Sequence, residues 1–304
     1  MTARLRDDCF ALPPGVDWTP VDTALARLRA ALSPVTAIER VPLSGALGRI
    51  LASDVAALRS NPPADNAAVD GYAFAWDAAG ADVLTLPLAD GRAAAGEPFA
   101  GRVADGHAVR ILTGAEVPAG TDTVVLQEDC TVSDGAVAFP RPRKRGANCR
   151  RAGEDAATGE SVAAAGRRIG AADLARLSAV GIAELPVRAV LGVGVLSTGD
   201  ELLQPGADPA APGVYDANRP MLSGLLEAFG HRVVDLGARR DRAGMIRDAL
   251  DEGARTADAI ITSGGASSGD EDHISRLLRE EGTVETWRIA VKPGRPLMLG
   301  FWRG

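Results

Sequence analysis

The stretch VLGVGVLSTGDEL, Val190 to Leu202, decides the fold of the second half of this chain. Val190 to Leu196 form a near-continuous apolar run that reads as a strand buried on both faces. The run then breaks into Ser, Thr, Gly, Asp and Glu, as a strand does where it leaves a sheet. Outward from it the pattern is β-α-β. Asn218 and Pro220 supply N-cap and first-turn signals for a helix carrying Met221, Leu222, Leu225, Leu226 and Phe229, and Gly230 stops it. A strand at Arg232 to Leu236, a helix at about 242–255 and a strand at Ala259 to Thr262 follow. A further helix is expected from His273 to Glu281, with Ile274, Leu277 and Leu278 on one face. Strands alternating with helices predict a parallel sheet covered on both sides.

In open α/β sheets ligands bind beyond the carboxyl ends of the strands. Those ends carry an unusual set of residues. After the first strand come Thr198, Asp200 and Glu201, and after the second comes Asp241. After the third comes TSGGASSGDED, with Ser263, Gly264, Gly265, Ser267, Ser268, Gly269, Asp270 and Asp272. Glycines let a backbone approach a ligand, and exposed amides beside a helix N-terminus favour an anion. Acids crowded beside a phosphate would repel it, so a divalent cation is needed between them, and Mg²⁺ suits carboxylates plus phosphate oxygens. Asp270 and Asp272 can equally serve as helix caps. Downstream, Lys292 and Arg295 bracket a Pro-Gly turn, which can receive a tetrahedral oxyanion or simply carry solvated charges on a hairpin.

The first half has a different texture. Residues 18–60 read as helical, with Val21, Leu25, Leu28 and Leu32, then Leu43, Leu47, Ile50 and Leu51, at helical spacing around the break at Ser33–Pro34. Residues 61–145 alternate short β-prone pieces with Gly, Pro and Asp, which predicts a small mostly-β domain. It contains DNAAVDGYAF, Asp65 to Phe74, too polar for a core strand and too orderly for a linker. A basic connector, RPRKRGANCRRAGED, leads to a helix near residues 171–180. The expected domains are 1–60, helical and joined with 146–186 as a linker domain; 61–145, mostly β; and 187–304, α/β.

Composition excludes several classes. A chain of 304 residues with net charge −7 lacks the basic face that nucleic acid requires. No apolar run approaches the eighteen or so residues needed to cross a bilayer. Cys9, Cys130 and Cys149 form no CxxC pair, which fits a reducing cytoplasm rather than a disulfide framework or structural zinc. His107, His231 and His273 are too scattered for a metal triad.

Seven segments, DNAAVDGYA, ILTGAEVPAGTDTVVLQE, GANCRRAGED, LSTGDEL, GVYDANRPML, SGGASSGDED and VKPGRP, occur in the order and at the spacing of the MoeA family. The chain resembles these molybdopterin molybdenumtransferases, which include the plant and animal E domains. The resemblance implies Mg²⁺-dependent insertion of molybdate into adenylylated molybdopterin, giving molybdenum cofactor and AMP. It also implies a homodimer, the adenylyltransferase of the same pathway as a partner, and a site shared between the β domain of one subunit and the α/β domain of the other. Asp70 and Thr113 match the β-domain contributions, and Asp155 lies in the matching Gly-Glu-Asp motif. Glu201, Asp241 and Asp272 match the acids that handle metal and phosphates. Lys292 and Arg295 match the molybdate-contacting turn, and together with Thr198, Ser263, Gly264, Gly265 and Ser267 of the strand-end loops they are expected to bind the cofactor. Arg288 stands where a Lys is frequent in the family. Family members continue past the VKPGRP strand into a Gly-Leu-Pro-Gly-Asn-Pro segment and a C-terminal β domain. The chain is therefore expected to be truncated, with an incomplete α/β domain whose last strand lacks neighbours. Two other functions remain at this stage: a molybdopterin adenylyltransferase-like enzyme, or a non-catalytic molybdopterin-binding scaffold.

Overall fold

The computed structural model describes residues 18–77, 81–208, 210–264, 273–289 and 296–303. Among them are five helices: α1 (Val21–Ala31), α2 (Ala171–Ala179), α3 (Asn218–Ala228), α4 (Ala243–Thr256) and α5 (His273–Glu281). None is long and apolar enough to cross a membrane. The chain divides into two compact units, Glu39–Val187 and the remainder, in which the segment before residue 39 joins the chain from residue 188 onward.

The Glu39–Val187 unit contains a six-stranded sheet. Its strands are β1 (Gly71–Phe74), β2 (Val83–Ala93), β3 (Ala108–Ile111), β4 (Thr123–Leu126), β5 (Thr131–Ser133) and β6 (Ala136–Pro140). They lie in the order β4-β1-β3-β2-β6-β5, antiparallel except for the β2–β3 pair. Successive strand residues point to opposite faces, and here both faces are covered. Ala73, Val109, Ile111 and Val124 fill one side, whereas Phe74, Val125, Val137 and Phe139 fill the other. The Phe74 and Phe139 rings meet in a tilted pair with centroids 4.9 Å apart. Gly71 has to be glycine, because a Cβ there would fall 1.8 Å from the Val125 carbonyl oxygen of the neighbouring strand.

A second core in this unit joins Leu51, Val55 and Ala57 to Val162, Ile169, Leu177, Leu185 and Val187. Val55–Ala56 pairs antiparallel with Ser161–Ala163, and the Leu51 amide donates to the Arg167 carbonyl at 2.9 Å. The helical reading of residues 33–60 is overturned. After α1 the chain is extended, with one short 3-10 turn at Leu43–Gly45. Pro34 and Pro42 lack the amide hydrogens a helix needs, and Gly48 turns the chain at a φ of +75°. The Leu spacing does not form one apolar face either, since Leu51 is buried while Leu47 is exposed.

In the other unit, β7 (Gly192–Thr198), β8 (Arg232–Arg239) and β9 (Ala259–Ser263) form a parallel sheet in the order β8-β7-β9. All seven residues of β7 are buried. Leu196 and Leu236 from the sheet pack against Ile246, Ala249 and Leu250 of α4 and Ile274 and Leu277 of α5. The expected cap of α3 is corrected. Asn218 is already helical and makes no cap bond; instead the Asp216 carboxylate accepts the Arg219 amide at 3.1 Å. The last strand is corrected too. β10 (Gly282–Arg288) and β11 (Pro296–Trp302) form an antiparallel hairpin, so β11 has a neighbour along its whole length. The Trp302 indole donates to Asp251 at 2.8 Å, and Arg303 reaches both Asp251 and Glu281, which ties this hairpin to α4 and α5.

Candidate functional site

Candidate residues occur on both units, and each unit builds its own cluster. In the Glu39–Val187 unit the cluster is the loop leading into β1. Asp65 opens the loop. Its carboxylate accepts the Ala152 amide at 2.8 Å and the Arg151 guanidinium, and its carbonyl accepts the Val117 amide. The Ala152 amide, and then Arg151 working against burial, hold this carboxyl below its usual range. Asp70 closes the loop. One of its oxygens accepts both the hydroxyl of Thr113, at 2.6 Å, and the Thr113 amide, at 2.7 Å. The hydroxyl and then the amide of Thr113 depress the Asp70 pKa, although the carboxylate faces solvent. The predicted pair is thus one contact. Arg110 lies over the Tyr72 ring, 5.1 Å from its centroid, and its guanidinium also reaches Gln127. A cleft of about 210 Å³ runs beside the loop, lined by Arg59, Asn66, Gly96, Gly114 and Glu116 among others.

Asp155 is engaged on both oxygens, by Arg150 at 2.6 Å and by the Asn61 amide at 3.1 Å. The basic connector is largely neutralised in the same way. Arg145 pairs with Asp122, Arg150 with Asp155, Arg151 with Asp65, and Arg141 lies over Trp76. Burial pushes the Cys130 thiol up to about 11 and raises that of Cys149, so neither is poised as a nucleophile.

In the other unit the parallel order β8-β7-β9 brings three carboxyl ends side by side. Beyond β7, the Gly199 amide donates to the Arg239 carbonyl at 3.1 Å, and the Asp200 carboxylate accepts the Asp241 amide at 3.2 Å. The first two acidic loops are therefore joined directly. Glu201 follows, with its carboxylate folded against Gly199. Thr198 is 5% exposed, and its hydroxyl has no hydrogen-bond partner among the described residues. It lies under Gly264, where a Cβ would fall 2.7 Å from that hydroxyl and 2.5 Å from the Thr198 carbonyl oxygen. Gly264 has a φ of +99°, and Ser263 before it accepts a 2.8 Å bond from the Asn218 amide. An anion or a cation shell approaching this rim would meet backbone, hydroxyl and carboxylate together.

Gly265, Ser267, Asp272, Lys292 and Arg295 lie outside the described residues. Among the described residues no three His, Cys, Asp or Glu side chains are grouped to hold a metal ion. What the rim does offer is carboxylate oxygens on adjacent strand ends. That donor set fits Mg²⁺, which takes one or two protein carboxylates and completes its shell with phosphate and water. Sequence reasoning missed Asp216 and Arg219, although the segment GVYDANRPML that holds them was conspicuous. The two bond each other three residues apart, but Arg219's further partners, Asp235 of β8 and Gln204, are not revealed by local spacing.

Residues 19–181 match the family model described as the MoeA N-terminal region (domain I and II), and residues 194–303 match the one described as a probable molybdopterin binding domain. The chain is 38% identical over 281 residues to a molybdopterin molybdenumtransferase of Haemophilus influenzae, covering 92% of this chain and 69% of that protein. It is 29% identical to a gephyrin of Dictyostelium discoideum, covering 92% of this chain and 43% of the relative. A crystal structure of a molybdopterin biosynthesis MoeA protein from Pyrococcus horikoshii superposes with a TM-score of 0.75 at 28% identity, over 93% of this chain and 72% of that one.

Proposed function

Because this chain belongs to the MoeA family of molybdopterin molybdenumtransferases, we propose that it inserts molybdate into adenylylated molybdopterin and releases AMP with the help of Mg²⁺. The chain is an enzyme of molybdenum cofactor biosynthesis by that membership. The observation that carries the proposed chemistry is the junction of strand ends, where Asp200 binds the Asp241 amide and the buried Thr198 hydroxyl has no partner among the described residues beneath Gly264. A buried hydroxyl without a partner costs stability and is commonly retained where a ligand completes it. The match of residues 19–181 to the MoeA N-terminal region favours this reading over an adenylyltransferase.

The protein's part is positioning and electrostatics. Thr198, Ser263 and Gly264 present donors and open backbone to the pterin phosphate. Asp70, its oxygen locked by Thr113, offers a fixed negative charge on the other unit. Lys292 and Arg295 receive the oxometalate. A divalent cation held by Glu201 and Asp241, with Asp272, would offset charge on the phosphoanhydride. An oxygen of water or molybdate attacks the AMP phosphorus, the P–O bond to the pterin phosphate breaks, and AMP leaves while the pterin keeps its phosphate. The enzyme works as a cytoplasmic homodimer and takes its substrate from the adenylyltransferase one step earlier. The test is direct. The purified chain is incubated with adenylylated molybdopterin, molybdate and Mg²⁺, and AMP is quantified by chromatography. AMP release that requires both molybdate and Mg²⁺ is expected; no AMP above the protein-free blank overturns the reading.

A further inference from the structure

The first turn of α3 is fixed by more interactions than a helix start requires. Arg219 has a side chain only 17% exposed, and its guanidinium is bonded to three different segments. Nε donates to Asp216 at 3.1 Å, Nη1 to Asp235 of β8 at 2.7 Å, and Nη2 to Gln204 at 2.6 Å. Asp216 is 3% exposed. Burial would raise its pKa, but hydrogen bonds led by the Arg219 amide, together with the guanidinium, hold it below the usual range. Helix starts fray when left to their own hydrogen bonds. This one is instead clamped by a planar fork whose donors all point at separate acceptors.

The neighbouring residue carries that rigidity to the strand-end rim. Asn218 is exposed, yet its amide nitrogen donates at 2.8 Å to the hydroxyl of Ser263, the last residue of β9. Gly264 follows at once, against Thr198. A chain of contacts therefore runs from β8 through Arg219 and Asn218 to the end of β9.

We propose that Asn218 and Arg219 are positioning residues for the reaction: Arg219 locks the first turn of α3, and Asn218 uses that turn to hold the Ser263–Gly264 exit of β9 over Thr198. Neither residue need touch the reacting atoms. The kinetic half of the proposal rests on the function proposed above; the structural half does not. Misplacing a binding group by about 1 Å costs up to roughly 100-fold in rate.

The experiment uses Asn218→Ala, because Arg219→Ala would strand the buried Asp216 carboxylate and risk unfolding. Asn218→Ala is expected to keep the wild-type unfolding midpoint, to lower kcat/KM for AMP release by about 10- to 100-fold, and to speed amide exchange in the peptide spanning residues 258–264. Ser263→Ala should be at least as impaired, and the double variant no worse than Ser263→Ala, since the two share one contact. Arg219→Lys, which keeps charge but loses the fork, should speed the same exchange. Wild-type exchange in Asn218→Ala overturns the proposal whatever the turnover. Faster exchange with unchanged kcat/KM also overturns it, reducing the contact to a structural one. If the wild-type chain itself releases no AMP while exchange accelerates as expected, the clamp stands and the proposed function falls.

Discussion

The two clusters of acids are built on opposite plans. In the Glu39–Val187 unit the carboxylates are engaged by their neighbours: Asp65 by Ala152 and Arg151, Asp70 twice by Thr113, Asp155 by Arg150 and Asn61. On the parallel-sheet rim Asp200 is engaged by the Asp241 amide, but Glu201 stands apart. Among the described residues Glu201 has no side-chain hydrogen bond or ion pair, and the Thr198 hydroxyl is buried without a partner. A carboxylate held by such bonds keeps its charge at a fixed point. One without them leaves its oxygens open to a ligand.

That contrast breaks most easily at Glu201. Glu201→Ala removes a rim carboxylate that no other described residue needs, so AMP release should fall by at least about 100-fold with an unchanged thermal midpoint. Near-wild-type turnover would mean the rim does not hold the metal. The Asp70–Thr113 contact should respond more weakly. Thr113→Val removes the hydroxyl donor but leaves the amide, so Asp70 keeps half its clamp. Turnover should drop by about 10-fold, and the Asp70 pKa, followed by carbon NMR, should rise toward its usual 3.8. A pKa that stays put would show that the hydroxyl is not what depresses it. The smallest effect is on stability. Asp65 is depressed below 3.8, so its contribution is present above that value and is lost as pH falls through the lower folded value. Asp65→Asn should therefore lie below wild type in unfolding midpoint at neutral pH, with the gap closing as the pH is taken progressively below 3.8. A gap that persists in acid would point to packing rather than charge.

How much of this was legible in sequence depends on how local each cause is. The run Val190 to Leu196 announces a doubly buried strand, and the polar break after it announces the rim, because both signals sit in adjacent residues. The Asp70–Thr113 contact joins positions 43 apart, and only the resemblance brought them together. Leu43, Leu47, Ile50 and Leu51 misled because helical spacing was read without its competitors. Two prolines, a left-handed glycine and partners more than a hundred residues downstream won instead. Asn218 misled for a related reason. As a residue type it suits a helix cap, but Asp216 had taken that amide, which freed the Asn218 side chain for Ser263. Arg219 gave only the weak signal of Asp216 three residues before it, since its other two acceptors, Asp235 and Gln204, are delivered by tertiary folding.

The second core of the Glu39–Val187 unit has a kinetic corollary. Its two halves, around Leu51 to Ala57 and around Val162 to Val187, flank the entire six-stranded sheet in the sequence. The Ala57 amide bonds to the Glu160 carbonyl across an excursion of about a hundred residues, whose closure entropy grows with the logarithm of its length. Once the intervening strands condense, that excursion collapses to the span of a compact module whose two ends emerge together, as the pairing of Asn66–Ala67 with Cys149–Arg150 shows. An inserted module that condenses first would thus shorten the loop that its host has to close.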